Sequence, residues 1–212
     1  MAAQGHDPDA ARRPIRARGN ALVQRIAAAL ARSPLTPNAI SVLSIAFAAA
    51  GAAALLWLPP WGAWLCAAGI QLRLLCNLFD GMVAVEGGKS TPTGALYNEV
   101  PDRVADSVLL VALGYAAGAP WIGWLAALLA ALTAYVRTLG GALGFAQDFG
   151  GPMAKQHRMA LMTLACVAAP IEAMLAQSRY ALLCCAWAIA LGAALTCWFR
   201  LRRISRQLRG LA

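Results

Sequence analysis

The sequence predicts an all-α fold: an integral membrane bundle of six transmembrane helices, preceded by an amphipathic helix lying at the membrane interface. Three observations carry that expectation. The chain of 212 residues is 60% hydrophobic and only 13% charged, against about 25% charged for an ordinary soluble domain. Its apolar residues collect in runs of the length a spanning helix needs, about 20 residues. Its 18 Lys and Arg against 9 Asp and Glu give a net charge of +9, and the cations crowd the flanks of these runs on one side. A mean hydropathy of +0.61 excludes a disordered chain, which needs low hydrophobicity to stay unfolded. Basic chains also bind nucleic acid, but no nucleic-acid motif is present, and the charge suits an anionic membrane surface instead. Cys66, Cys76, Cys166, Cys184, Cys185 and Cys197 all fall inside apolar runs. A thiol there behaves as a small hydrophobe, so neither a disulfide framework nor a zinc site is expected.

The elements follow in order. Residues 1–16 form a basic polar tail without the apolar stretch of a cleavable signal peptide. Residues 17–36 hold an amphipathic helix and a linker. Arg18, Arg25 and Arg32 recur every seven residues on one face, and Leu22, Val23, Ile26 and Leu30 line another. That is the pattern of a helix in the headgroup plane with its basic side toward anionic lipid. The membrane domain, 37–203, contains spans expected over 39–58, 61–85, 95–117, 121–145, 158–176 and 180–199. Pro59-Pro60, Gly87-Gly88, Gly118-Ala119-Pro120, Gly150-Gly151-Pro152 and Gln177-Ser178 separate them with turn chemistry. A basic tail, 204–212, follows.

Orientation comes from the cations in the short flanks. Arg12, Arg13, Arg16, Arg18, Arg25 and Arg32 precede the first span, and Arg200, Arg202, Arg203, Arg206 and Arg209 follow the core of the last. Lys89 sits in the second break, and Arg137, Lys155 and Arg158 bracket the fourth, whereas the opposite side has Arg179 alone. Both termini are therefore expected in the cytoplasm, with the chain in the bacterial inner membrane. Trp57, Trp61, Trp64, Trp121 and Trp124 mark the outer interface as an aromatic belt.

The second and third spans hold polar residues that hydrocarbon does not welcome. Gln71, Arg73, Asn77 and Asp80 lie on one, and Asn98, Glu99, Asp102, Arg103 and Asp106 on the other. An ionisable side chain at mid-membrane costs roughly 2.5–3.5 kcal/mol on insertion scales, so such residues mark functional sites. Arg73, Asn77 and Asp80 share one helical face, and Asn98, Asp102 and Asp106 share another. At about 1.5 Å of rise per residue, Asp80 falls level with Asn98, Asn77 with Asp102, and Arg73 with Asp106. This predicts a structural ion pair, Arg73–Asp106, above a working site of Asn77, Asp80, Asn98 and Asp102. Oxygen-only ligands of this kind suit Mg²⁺ or Mn²⁺. Pro101 removes a helical hydrogen bond beside the site, and Gly81, Gly87, Gly88 and Gly94 would let backbone approach a ligand.

These residues resemble the signature of the CDP-alcohol phosphatidyltransferase family, D-x-x-D-G-x-x-A-R, eight residues, then G-x-x-x-D-x-x-x-D. Here the stretch reads Asn77-x-x-Asp80-Gly81-x-x-Ala84-Val85, eight residues, then Gly94-x-x-x-Asn98-x-x-x-Asp102. The lead-in Leu35-Thr36-Pro37-Asn38-Ala39-Ile40-Ser41 also looks like the family's entry to its first span. The resemblance implies transfer of a phosphatidyl-type group from a CDP-linked lipid, typically CDP-diacylglycerol, to an alcohol, with release of CMP. The donor's pyrophosphate would rest on divalent metals, Mg²⁺ or Mn²⁺. Asn77, Asp80, Asn98 and Asp102 then stand at the metal-ligand positions, and Asp102 at that of the general base. Gly81, Ala84 and Gly94 stand where the cytidine nucleotide packs. Arg137, Lys155 and Arg158 form a basic patch resembling the place where an anionic acceptor or the donor's phosphates are held. A homodimer is implied as well. The departures are Asn77 and Asn98 at two aspartate positions and Val85 at the arginine. Asparagine keeps a carbonyl oxygen, but two negative charges are gone, and two adjacent cations are held less well. The competing readings are a catalytically silent relative that binds CDP-lipid or a headgroup, and a small transporter with an intramembrane cation site. Against the latter, the polar cluster occupies only two adjacent spans rather than two related halves.

Overall fold

Each helix begins and ends where the local chemistry dictates. In the computed structural model, which describes residues 20–176, 178 and 180–210, the first helix, α1 (Ala21–Arg32), starts at Asn20. The Asn20 side chain accepts the Leu22 N–H at 2.9 Å. Thr36 caps α2 (Pro37–Trp57) in the same way, accepting from the Ala39 N–H at 3.2 Å, and Pro37 takes the first helical position, where no N–H is needed. After Pro59-Pro60 come α3 (Gly62–Val85) and α4 (Gly94–Ala116). Gly118, with φ +74°, turns the chain into α5 (Pro120–Ala142), which again opens on a proline. The last two are α6 (Lys155–Ala176) and α7 (Tyr180–Arg209). Among the described residues there is no strand.

Five helices, α2, α3, α5, α6 and α7, are long and apolar enough to cross a membrane. The remaining long helix, α4, carries Glu99, Asp102, Arg103 and Asp106. The expected tail 1–16, Arg18, and Arg179 lie outside the described residues. Several helix ends shift by one to three residues, and two differences matter. The stretch expected as a basic tail from 204 continues the last helix: α7 runs unbroken through Arg209. The other difference shapes the site. The fifth span was expected to begin at Arg158, but α6 begins one turn earlier, at Lys155, so Lys155 joins Arg158 on a helical face instead of lying in the loop before it.

The helices close a ring in the order α2, α3, α6, α7, α5, α4, with α2 packed along both α3 and α4. One large apolar cluster fills most of it, including Ile70, Leu109, Leu113, Ile122, Met162 and Ile189, and a smaller one, Ile40, Cys76 and Val83, joins α2 to α3. Small residues set the closest approaches. A Cβ on Gly114 would lie 2.5 Å from the Gly123 Cα, and one on Gly69 would lie 2.8 Å from the Phe47 carbonyl oxygen. Gly123→Val is therefore expected to push α4 from α5 and lower stability by about 1–3 kcal/mol, the usual cost of overpacking. Thermal unfolding in detergent would measure it, and an unchanged midpoint would show that the crossing is not tight.

Outside the ring, α1 buries only Ala27 and rests on Leu78 and Met82 of α3. Leu22 and Ile26 stay exposed. Lys89 fastens the end of α1 to the loop after α3, donating to the Ser33 carbonyl at 2.7 Å and the Leu35 carbonyl at 3.3 Å.

Candidate active site

Polar side chains from α3, α4 and α6 converge inside one end of the ring. α3 and α4 approach each other closely at few backbone positions, so the side chains cross the gap between them. Arg73 is fully buried and meets Asp106 at 2.6 Å, level with it as the helical rise requires. It also reaches the Asp102 carboxylate at 3.4 Å, the Asp102 carbonyl at 3.3 Å and the Met159 sulfur at 3.0 Å. Asn77 donates its amide to Asp102 Oδ1 at 2.7 Å. The other oxygen of Asp102 takes the Lys155 ammonium.

The basic patch expected from Arg137, Lys155 and Arg158 does not exist as an exposed surface. Arg158 is buried, at 2.8 Å from Asp106 Oδ2 and 2.9 Å from the Met153 carbonyl. The cause is the early start of α6: the three-residue spacing of Lys155 and Arg158 matches the four-residue spacing of Asp102 and Asp106, turn against turn. Asp106 is thus held by Arg73 from α3 and Arg158 from α6. Arg137 turns to Glu99 at 2.6 Å and Gln147 at 3.1 Å, with its guanidinium over the Phe149 ring. Arg103 lies within 3.8 Å of Asp102.

Asp80 is buried one turn nearer the end of the ring. It accepts a hydrogen bond from the Ser41 hydroxyl at 2.5 Å and lies within electrostatic reach of Asp102 and Lys155. Sequence reasoning missed Ser41 as a site residue, although it closes the lead-in motif; a hydroxyl three residues into an apolar span was the available signal. Asn98 is exposed on α4, and Gly94 is its first residue. Gly81 and Ala84 are half-buried on the last turns of α3. Gly87 serves the fold rather than a ligand, since a Cβ there would strike the Val83 carbonyl at 2.4 Å and Ala31 at 2.9 Å.

A metal pair does not match this donor set. Both Asp102 oxygens and both Asp106 oxygens face protein cations or amides. Among the described residues no group of three His, Cys, Asp or Glu side chains is arranged around a common point. Asp80 has no ion-pair partner among them, and Asn77, having given its N–H away, keeps a carbonyl oxygen.

A second feature, unanticipated from the sequence, lies beside the 148–151 turn. There a cavity of about 270 Å³ is lined by Arg200, Arg202, Arg203 and Arg206 with one carboxylate, Asp148. Arg203 pairs with Asp148, and Arg200 binds the Gly150 carbonyl at 2.9 and 3.0 Å.

Comparison with known proteins follows the same lines. Solved structures of the Mycobacterium tuberculosis phosphatidylinositol phosphate synthase PgsA1 share the fold. The form with CDP-DAG bound has a TM-score of 0.69 at 23% identity, covering 86% of this chain and 93% of that one. The complex with manganese and citrate has a TM-score of 0.69 at 23% identity, covering 86% and 88%. The apo form has a TM-score of 0.67 at 24% identity, covering 84% and 93%. No curated protein matches in sequence. The CDP-alcohol phosphatidyltransferase family matches over residues 34–198, a stretch that takes in α2 to α6, most of α7 and every side chain of the polar cluster. With its signature spacing, its membrane-crossing helices and that match together, the chain is an integral membrane protein belonging to the CDP-alcohol phosphatidyltransferase family.

Proposed function

We propose that this protein transfers a phosphatidyl-type group from a CDP-linked lipid, CDP-diacylglycerol in the first instance, to an alcohol, releasing CMP in phospholipid synthesis. The observation that carries this reading is a buried carboxylate, Asp102, meeting Asn77 and Lys155 at signature spacing from buried Asp80. The acceptor's hydroxyl oxygen attacks the phosphorus attached to the lipid. The bond from that phosphorus to the CMP oxygen breaks, and CMP leaves with the electron pair. The hydroxyl proton passes to Asp102, the general base. Gly81, Ala84 and Gly94 line the place for the cytidine nucleotide. One Mg²⁺ or Mn²⁺ suits the donors, held by Asp80 with the carbonyl oxygens of Asn77 and Asn98; when bound it neutralises the donor's diphosphate. Asp102, expected as a fourth ligand, is instead occupied by Lys155 and Asn77.

The same reading sets the protein in the bacterial inner membrane as a homodimer, with both termini cytoplasmic. All six helices from α2 to α7 span, over residues 37–203. In α4, Asp102 and Asp106 turn inward to cations instead of lipid, which offsets the cost of carrying them across. The exposed Leu22 and Ile26 of α1 suit a helix laid on the headgroups.

The acceptor is a phosphorylated alcohol. Supporting this, the cavity is lined by four arginines and one carboxylate, with Arg203 on Asp148 and Arg200 on the Gly150 carbonyl, and guanidinium forks match phosphate oxygens. Membranes containing the protein, given CDP-diacylglycerol with Mg²⁺ or Mn²⁺, are expected to release CMP at least about tenfold faster with glycerol phosphate or inositol phosphate than with the free alcohols, a difference of about 1.4 kcal/mol. Equal rates would remove the phosphate from the acceptor. A second reading, a silent CDP-lipid-binding relative, is favoured by Asn77, Asn98 and the Lys155–Asp102 contact. Retained CDP binding without CMP release for any acceptor would establish it in place of transfer.

A further inference from the structure

We propose that the Lys155 ammonium is a built-in cation of this site, standing in on Asp102 for a second divalent ion. The inference rests on the reading that this cluster holds a CDP-linked diphosphate, and it assigns part of the charge neutralisation to the chain itself.

Three observations converge on it. Lys155 opens α6 where its side chain could extend to solvent, yet it points inward and seats its ammonium on Asp102, with only 15% of the side chain exposed. Its partner Asp102 already takes the Asn77 amide on Oδ1 at 2.7 Å, so the ammonium covers the one oxygen left to a metal. The two positions whose carboxylates would have balanced further positive charge are Asn77 and Asn98. Asp106 carries one negative charge against Arg73 and Arg158, which leaves one positive charge over. Asp80 and Asp102 then supply two negative charges, and Lys155 with that excess cancels both. What remains suits one dication bound with the diphosphate and opposes two. A lysine can play this part because its ammonium is a compact point charge on a flexible stem, able to follow a phosphate oxygen without fixed ligand geometry.

The test is Mn²⁺ stoichiometry, read by electron paramagnetic resonance on purified protein in detergent at saturating CDP. Wild type is expected to bind about one Mn²⁺ per chain and Lys155→Met about two, because removing the ammonium frees Asp102 as a ligand. Lys155→Arg, which keeps the charge, should stay at the wild-type count. Two ions on wild type would overturn the proposal without recourse to any variant, and so would a Lys155→Met protein that gains none. The outcome is separable from the transferase reading. A rise from one to two ions without CMP release in either protein would uphold the built-in cation and defeat transfer. CMP release by a wild type holding two ions would do the reverse.

Discussion

Asp102→Asn is expected to lower CMP release by about 10²–10⁴-fold, the usual contribution of a positioned general base. Asparagine preserves the shape and the oxygen that accepts the Asn77 amide at 2.7 Å, so the loss falls on proton acceptance more than on architecture. Lys155 and Arg73 lose part of a counter-charge, and a modest drop in the unfolding midpoint should accompany the kinetic defect. Single-turnover CMP release from CDP-diacylglycerol, with melting measured on the same preparation, separates the two. A variant that melts like wild type and releases CMP at the wild-type rate would remove Asp102 from the chemistry.

The largest effect on stability is expected at Asp106. One carboxylate there holds two guanidinium groups, Arg73 at 2.6 Å and Arg158 at 2.8 Å, and both arginines are almost completely buried. Asp106→Ala leaves two buried cations without their shared partner. Removing one member of a buried pair costs roughly 3–5 kcal/mol, much of it from the charge left behind. Replacing the set together, as Arg73→Met, Asp106→Leu and Arg158→Met, should recover most of that loss, because no stranded charge remains. Equilibrium unfolding in mixed micelles can compare the two proteins. If Asp106→Ala unfolds at the wild-type midpoint, the cluster is not a structural keystone.

The bundle could be read from the sequence because its signals are local. Apolar run length, paired prolines and glycines, and capping residues such as Thr36 act within a few positions of where they stand. The meeting of Arg73 with Asp106 and of Asn77 with Asp102 was also within reach, since helical rise turns sequence separation into depth once two antiparallel helices are assigned. Arg158 was not. Its place opposite Asp106 depends on the turn before it, 155–157, which hydropathy leaves in the loop and α6 includes. The arginine cavity was hidden for a different reason: it needs the 148–151 turn folded against α7, a contact between residues some fifty positions apart. Ser41 shares part of that difficulty: its hydroxyl in an apolar span is a local signal, but its partner Asp80 lies on another helix.

The double grip on Asp106 has a mechanical consequence. Arg73 and Arg158 rivet three helices to a single point, so none of the three can slide past the others by even one turn, about 5.4 Å, without stranding a guanidinium in hydrocarbon. The interior is thus indexed like a detent. Whatever enters must be admitted by swinging side chains and flexing connections, above all the long stem of Lys155, while the columns that carry them keep their register.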